Sequence, residues 1–368
     1  MKKKLLLVGG GHAHMMTLQN LQRFTEKGHE VTVIGPSRYH YYSGMGPGML
    51  GRDYRPEEIR FDTKRTVESR GGTFLEGKAA DLDPESRTVV LESGETVPYD
   101  VLSLNAGSHV DTDMVGKKNE HLFTVKPIEK LYEASLIIEK LAFEGPVRVA
   151  VVGGGPSAAE ISGSVAGLGR NFCKSQVDVT VFAGKNFMKK FPAGVTKRVE
   201  KVLSKNGVKI DRSGYVDSIE NNRVVLDSGE SSEAHVIFLA TGVRPSDMMQ
   251  RAGIPTGPDR GMAVNRYLQS EKYPEIFGGG DCIHFSEHPV DKVGVYAVRE
   301  NPVLLYNLEA ALDGGDFQAF APQKSYLLIF NLGGKTGVFR KGRITFNGRP
   351  AFAIKDYIDR KFIKNFQE

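Results

Sequence analysis

Residues 149–160 read Val149-Ala150-Val151-Val152-Gly153-Gly154-Gly155-Pro156-Ser157-Ala158-Ala159-Glu160. Four apolar residues of strand character run into three glycines, and residues suited to a helix follow. The order fits G-x-G-x-x-[GA], a pattern in which each small residue has a mechanical task. Gly153 allows the tight turn, Gly155 lets backbone N–H groups approach a pyrophosphate, and Ala158 lets the helix pack close to the strand. Pro156 and Ser157 then stand at the helix N-terminus, where peptide dipoles favour an anion. Glu160 either stabilises that N-terminus or faces a bound nicotinamide. The next apolar run, Val177–Phe182, leads into Ala183-Gly184-Lys185, without the carboxylate that would hold the ribose hydroxyls of NAD. Lys185 is either a solvated loop residue or the partner of the 2′-phosphate that NADP carries.

The same plan occurs earlier in the chain. Leu5-Leu6-Leu7-Val8-Gly9-Gly10-Gly11 matches the opening stretch at an offset of 144 residues. Arg87-Thr88-Val89-Val90-Leu91-Glu92-Ser93-Gly94-Glu95 recurs as Asn222-Arg223-Val224-Val225-Leu226-Asp227-Ser228-Gly229-Glu230, offset 135. Val101-Leu102-Ser103-Leu104-Asn105-Ala106-Gly107 is matched at the same offset by Val236-Ile237-Phe238-Leu239-Ala240-Thr241-Gly242. Three matched features in one order predict two related halves. Each is a βαβ unit, a hairpin turning on Ser-Gly, and a return strand closing on a glycine. The first loop departs from the pattern twice: His14 stands at the third small position, and Val31-Thr32-Val33-Ile34 ends in Gly35-Pro36 rather than an acid. His12 and His14 are either polar residues at a helix start or neighbours of a pyrophosphate, and a helix is expected over 15–25.

Composition limits the alternatives. Of 368 residues 42 are glycine, about 11% against an average near 7%, and no collagen-like period absorbs the excess. The net charge of +5 is not gathered into a basic block with interleaved aromatics, so nucleic acid is not an expected partner. No apolar run approaches the 18 residues of a membrane span, and Met1-Lys2-Lys3-Lys4-Leu5-Leu6-Leu7 is too short a core for export. Cys173 and Cys282 form no CxxC pair, so no disulfide framework, zinc cluster or other metal site is expected, and the compartment reads as cytoplasmic.

Gly9-x-Gly11, Gly153-x-Gly155, Ala240-Thr241-Gly242 and Gly280-Asp281 occur in the order of the two-dinucleotide-binding-domain flavoproteins, and the chain resembles that pyridine nucleotide-disulfide oxidoreductase superfamily over nearly its whole length. Within it the chain is most similar to the branch of type II NADH dehydrogenases and sulfide:quinone oxidoreductases. Gly9-Gly10-Gly11-His12-Ala13-His14, Tyr42-Ser43-Gly44-Met45-Gly46-Pro47-Gly48 and Gly294-Val295-Tyr296-Ala297-Val298-Arg299-Glu300-Asn301-Pro302-Val303-Leu304 look like the flavoprotein module fused to selenide, water dikinase in some bacteria.

The resemblance implies an α/β fold of two Rossmann-like domains with three-layer ββα architecture, plus a small C-terminal α+β segment. The FAD-binding domain would span 1–110 and 245–320, the NAD(P)-binding domain 111–244, and an interface or membrane-facing segment 321–368. FAD would meet Gly9, Gly11, His12, Ala13 and His14 at its pyrophosphate, Gly35 and Pro36 at the strand end, and Ala79 near adenine. Tyr42 and Ser43 would open a glycine-rich shelf against the isoalloxazine, Asp281 would hydrogen-bond the ribityl chain, and Asn105, Ala106, Gly107 and Gly280 would be further FAD contacts. The helix opening at Lys292, Val293 and Gly294 would direct its positive end at the flavin pyrimidine. NAD(H) or NADP(H), as substrate, would lie on Gly153, Gly155, Pro156, Ser157, Ala158 and Gly242, with Glu160 the candidate catalytic group.

Residues 39–51, where disulfide reductases of this superfamily carry their redox pair, contain no cysteine. The expectation is therefore direct transfer from NAD(P)H through flavin to a quinone or other small acceptor. A sulfide:quinone-type or selenium/sulfur-compound oxidoreductase is the alternative, and a non-catalytic FAD-binding redox sensor the second. Cys173 and Cys282 read as buried small residues. In the tail, Ile354, Tyr357, Ile358, Phe362 and Phe366 fall at helical spacing, with Lys355, Asp359, Arg360 and Lys364 on other faces. That helix either packs on its own domain or on a homodimer partner, or rests on the inner face of a membrane to reach quinone.

Overall fold

Lys4–Val8 carries four buried apolar residues in succession, the mark of a strand covered on both faces. In the computed structural model, which describes residues 1–323 and 325–367, it is the middle strand of a parallel sheet. The order is Ile276–Gly278, Val101–Leu104, Lys4–Val8, Glu30–Gly35, Thr73–Glu76. Val147–Val152 is the middle strand of a second parallel sheet, ordered Leu122–Thr124, Val236–Leu239, Val147–Val152, Val177–Phe182, Val208–Asp211. The two sheets share one order, and a glycine loop leaves the central strand of each. They differ at one edge, because Ile276–Gly278 comes from far downstream whereas Leu122–Thr124 precedes its sheet.

Each half also carries a three-stranded antiparallel sheet: Ala79–Asp83, Thr88–Leu91 and Thr96–Pro98, then Val216–Glu220, Arg223–Leu226 and Ser231–Glu233. Leu82, Val89, Leu91 and Val97 share a core with Leu5, Leu6, Leu7 and Val8, so the layer rests on the parallel sheet. This is the Rossmann-like α/β architecture that the repeat predicts. The helix expected over 15–25 is interrupted: Met15–Gln19 and Gln22–Thr25 are separate, and Asn20 Nδ2 donates to Met16 O at 2.8 Å. An asparagine side chain that takes a helix carbonyl offers the backbone an alternative to continuing.

The tail forms an antiparallel sheet of Leu328–Asn331, Gly337–Lys341 and Ile344–Gly348, followed by the helix Arg349–Gln367. It docks on the helix Pro156–Phe172 at backbone contact: a Cβ on Gly163 would stand 2.5 Å from Leu332 O. The inner face of the final helix differs from the expected one. Phe352, Asp359 and Ile363 are buried, whereas Ile354, Tyr357 and Ile358 are 37%, 69% and 41% exposed. Phe362 and Phe366 do turn inward, against Phe61. Asp359 can lie inside because Lys355, one turn earlier, donates to it at 2.7 Å. Among the described residues no helix is long and apolar enough to cross a membrane.

Candidate active site

The first glycine loop is held at backbone contact. Gly9 has φ 91°, and a Cβ there would lie 2.2 Å from Asn105 O. A Cβ on Gly11 or on Gly280 would each lie 2.9 Å from the Asn105 side chain, whose Nδ2 is buried without a partner. The helix Gly294–Asp313 fixes these loops from below. Glu300 accepts from Gly280 N at 2.5 Å, while Asn301 accepts from Met16 N at 3.0 Å and donates to His12 O. Burial pushes the Glu300 carboxyl up to about 7. Beside this clamp Ala106 and Gly294 are exposed, and among the described residues nothing stands within 4 Å of a Cβ placed on Gly107 or Gly294.

The charges converge on Asp281. Lys126 donates to it at 2.5 Å and to Ser108 Oγ at 2.9 Å, and Ser108 donates to the same carboxylate at 2.7 Å. Burial raises the Asp281 pKa, but Lys126, Ser108 and His12 outweigh it and hold the carboxyl below the usual range. The His12 ring lies 5.4 Å from His40, 5.2 Å from Tyr42 and 6.1 Å from Phe362. Burial, reinforced by Lys126, lowers His12 to about 4; burial, His12 and Lys126 lower His40 to about 3. Both rings are therefore neutral at pH 7, and each has a buried Nε2 without a partner among the described residues. An unmatched buried polar group costs about 1–3 kcal/mol. Three such atoms beside a glycine cradle suit a ligand rich in phosphate and hydroxyl oxygens, as FAD is.

Several expected contacts lie elsewhere. His14 is wholly buried beneath the loop, with Nδ1 2.7 Å from Gly9 O and Nε2 2.8 Å from Ser103 Oγ. Both nitrogens are engaged, so His14 braces the turn instead of meeting a phosphate. Lys292 Nζ is tied to Asp259 at 2.9 Å and to Ile283 O, which leaves only its backbone at the helix opening. The shelf expected at Ser43 to Gly48 is a turn, Ser43–Met45, and a short helix, Gly46–Leu50, whose Met45, Met49 and Leu50 are fully buried. Gly46 admits Ile128 and Gly48 admits Tyr54, so these glycines serve packing. Tyr42 stacks on Phe362 at 4.8 Å and donates to Asp359 at 3.2 Å. Ala13 is a core residue against Gly279; Ala79 is half-buried in a strand, paired with Leu91. Gly35 lies under Phe74 and Pro36 is exposed beyond it.

The second loop repeats the first. Gly153 has φ 141°, and its Cβ would lie 2.2 Å from Ala240 O. Nothing crowds Gly155 or Gly242, Pro156 is half-buried, Ser157 is exposed, and Ala158 is buried against the sheet. Glu160 faces the tail, its Oε1 accepting from Asn331 N at 2.9 Å. Burial pushes its carboxyl up to about 6, partly offset by Lys355 and by that hydrogen bond. Lys355 in turn donates to Asp359 at 2.7 Å and to Gly44 O at 2.8 Å, so polar groups run from Glu160 through the final helix to Tyr42 and His12. Burial pushes both thiols, buried Cys282 and half-buried Cys173, up to about 11, which keeps them protonated. Lys126 and His40 belong to this arrangement without a motif that marks them, whereas Glu300 and Asn301 lie in the Gly294–Leu304 stretch and Lys355 and Asp359 in the amphipathic tail, patterns that do not reveal their partners.

A family model described as pyridine nucleotide-disulphide oxidoreductase matches residues 3–301. A type II NADH:quinone oxidoreductase of Staphylococcus epidermidis is 23% identical over 396 aligned residues, covering 98% of this chain and 95% of that protein. The sulfide:quinone oxidoreductase of Aquifex aeolicus superposes with a TM-score of 0.79 at 20% identity, over 99% of this chain and 91% of that one. NDH2 of Plasmodium falciparum, solved in complex with NADH, superposes with a TM-score of 0.79 at 14% identity, over 99% and 96%.

Proposed function

The chain belongs to the pyridine nucleotide-disulphide oxidoreductase family, and from that premise we propose that it is an FAD-dependent oxidoreductase which oxidises NAD(P)H and reduces a quinone or another small acceptor. The observation that carries this reading is the doubled glycine loop, with Gly9 and Gly153 each 2.2 Å, Cβ to oxygen, from the carbonyl of the facing strand. FAD, when bound, supplies the two-electron chemistry. Gly9, Gly11 and the backbone of His12 and Ala13 hold its pyrophosphate, and Asn105 and Asp281, steadied by Lys126 and Ser108, hold its polyol. The helix opening at Val293 and Gly294 offers positive potential to negative charge. Gly153, Gly155, Pro156, Ser157 and Gly242 hold the nicotinamide nucleotide. Anaerobic mixing of the purified holoprotein with NADH and then NADPH tests the reading: rapid bleaching of flavin absorbance is expected, and no bleaching by either overturns it.

Glu160 holds the proton that accompanies electron delivery to the acceptor. With its carboxyl at about 6, Glu160→Gln is expected to lower acceptor turnover about 10²-fold and to remove a rate limb near pH 6. The same raised pKa means that the contribution of Glu160 to native stability is full below pH 4.5 and is lost as pH rises through 6, a component the glutamine variant lacks. Steady-state rates and thermal midpoints across pH check both, and an unchanged profile overturns the role.

Ile344, Ile354, Tyr357 and Ile358 are exposed on the tail beside Lys361, Lys364 and Arg343, which supports peripheral contact with an anionic membrane. Replacing Ile354, Tyr357 and Ile358 together by serine is expected to weaken liposome binding about tenfold or more, at ~0.8 kcal/mol per buried methylene lost, without loss of flavin. Equal binding by the variant refutes the contact. A second reading, selenium- or sulfur-compound oxidation, is supported by the likeness of Gly9 to His14 and of the Gly294 helix to the dikinase-fused module. Mixing with selenide and sulfide tests it.

A further inference from the structure

The turn after Val177–Phe182 occupies the position at which a nucleotide-binding sheet meets the adenosine ribose. A carboxylate there accepts the two hydroxyls of NAD and repels a 2′-phosphate, whereas a cation does the reverse. In this chain the strand ends in buried Ala183 and Gly184, and the first exposed side chain is Lys185. The turn is fixed against the phosphate loop, since Met188 N donates to Gly154 O at 2.6 Å. A Cβ on Gly154 would stand 2.6 Å from Ala183 O and 2.7 Å from Asn186 O. Gly184, at φ 61°, turns the chain under the ring of Tyr215 and delivers Lys185 to the surface beside that loop.

The segment itself carries charge of one sign. Residues 183–198 contain Lys185, Lys189, Lys190, Lys197 and Arg198 and no Asp or Glu. Of the neighbouring carboxylates, Glu200 pairs with Arg212 and Asp291 with Lys190 at 3.5 Å, while Asp211 accepts from Ser213 N at 2.9 Å and keeps its charge. Among the described residues Lys185 and Lys189 have no ion-pair partner. The first half provides the internal contrast. There the strand Glu30–Gly35 is followed by Arg38, which Asp62 neutralises through bonds of 2.6, 3.0 and 3.1 Å. FAD has no 2′-phosphate to recognise, and the cation at its strand end is cancelled; at the second site it is left available.

We infer that the second site takes NADPH in preference to NADH, with Lys185 as the residue that reads the 2′-phosphate. The inference rests on the reading of that site as a nicotinamide-nucleotide site. With FAD in place on the first loop, calorimetric titration compares 2′,5′-ADP with 5′-AMP, which differ only in the 2′-phosphate. The expected result is at least tenfold tighter binding of 2′,5′-ADP, a margin that narrows with added salt. In Lys185→Gln, an exposed substitution, the ratio of the two affinities should fall toward one. Equal affinities in the native protein, or a ratio unchanged in the variant, overturn the inference. Flavin bleaching is read separately. A protein that prefers 2′,5′-ADP yet is reduced by neither nucleotide keeps the specificity and loses the oxidoreductase reading, whereas reduction without that preference does the opposite.

Discussion

Gly9→Ala is expected to yield a protein purified without flavin and markedly less stable. The added Cβ would lie 2.2 Å from Asn105 O, and at φ 91° no other residue sits without strain. Neither backbone can retreat cheaply: Asn105 N donates to Val8 O and Gly9 N to Ile34 O, both at 2.8 Å, across three adjacent strands of the sheet. Overpacking costs about 1–3 kcal/mol and the left-handed backbone about 1–2 kcal/mol more, a large share of a typical stability of roughly 5–15 kcal/mol. Gly153→Ala creates the same collision with Ala240 O in the other half. It is expected to keep its flavin while losing reduction by NAD(P)H. The ratio of flavin to protein absorbance, with the thermal midpoint, reads both variants, and two variants of equal flavin content would contradict the division of labour between the loops.

Asp281→Ala is the second large effect. It leaves the Lys126 ammonium enclosed, 28% exposed, without the carboxylate that accepts from it. Breaking a buried pair from one side costs about 3–5 kcal/mol, and the partial exposure of Lys126 places the expected loss at the lower end. The variant Lys126→Met/Asp281→Ala should recover part of that loss, because the cost arises from the unmatched charge; urea midpoints of the four proteins give the coupling. Acidification adds a signature. The Asp281 pKa is held below its ordinary value by Lys126 and Ser108 against the opposing effect of burial. Its contribution is therefore present above the ordinary carboxylate pKa and is lost as pH falls through the depressed one. Asp281→Ala should show a flatter acid limb than the native protein. A double variant no more stable than the single one would count against the pairing.

The two halves and their plan were legible because they rest on repetition: two apolar strands entering glycines and two Ser-Gly hairpins at nearly one offset leave few arrangements. The contacts inside the site were less so. His14 occupies the small position of the fingerprint, and only the structure shows Gly9 O and Ser103 Oγ taking its two nitrogens. Lys126 precedes a proline in a connector and carries no periodic signal, yet it reaches across to the other half to meet Asp281. Lys355 and Asp359 at i,i+4 look like a solvated pair on an amphipathic helix. They lie inside because Gly44 O and Tyr42 wait there for them. Local patterning identifies a surface from the chain's own residues, and these positions are decided by what another segment brings to it.

The edge strand Ile276–Gly278 has a consequence for the order in which the molecule is completed. All five strands of the second sheet lie between residues 122 and 239, so they leave the ribosome as one uninterrupted block. The first sheet begins at residue 4 but lacks its edge until residue 278 has been made, and the clamp of Glu300 and Asn301 on its loops until still later. Closure of that sheet must therefore span a separation of more than 170 residues, the kind of contact whose loop entropy slows folding. Of the two parallel sheets, the one begun first is the one closed last.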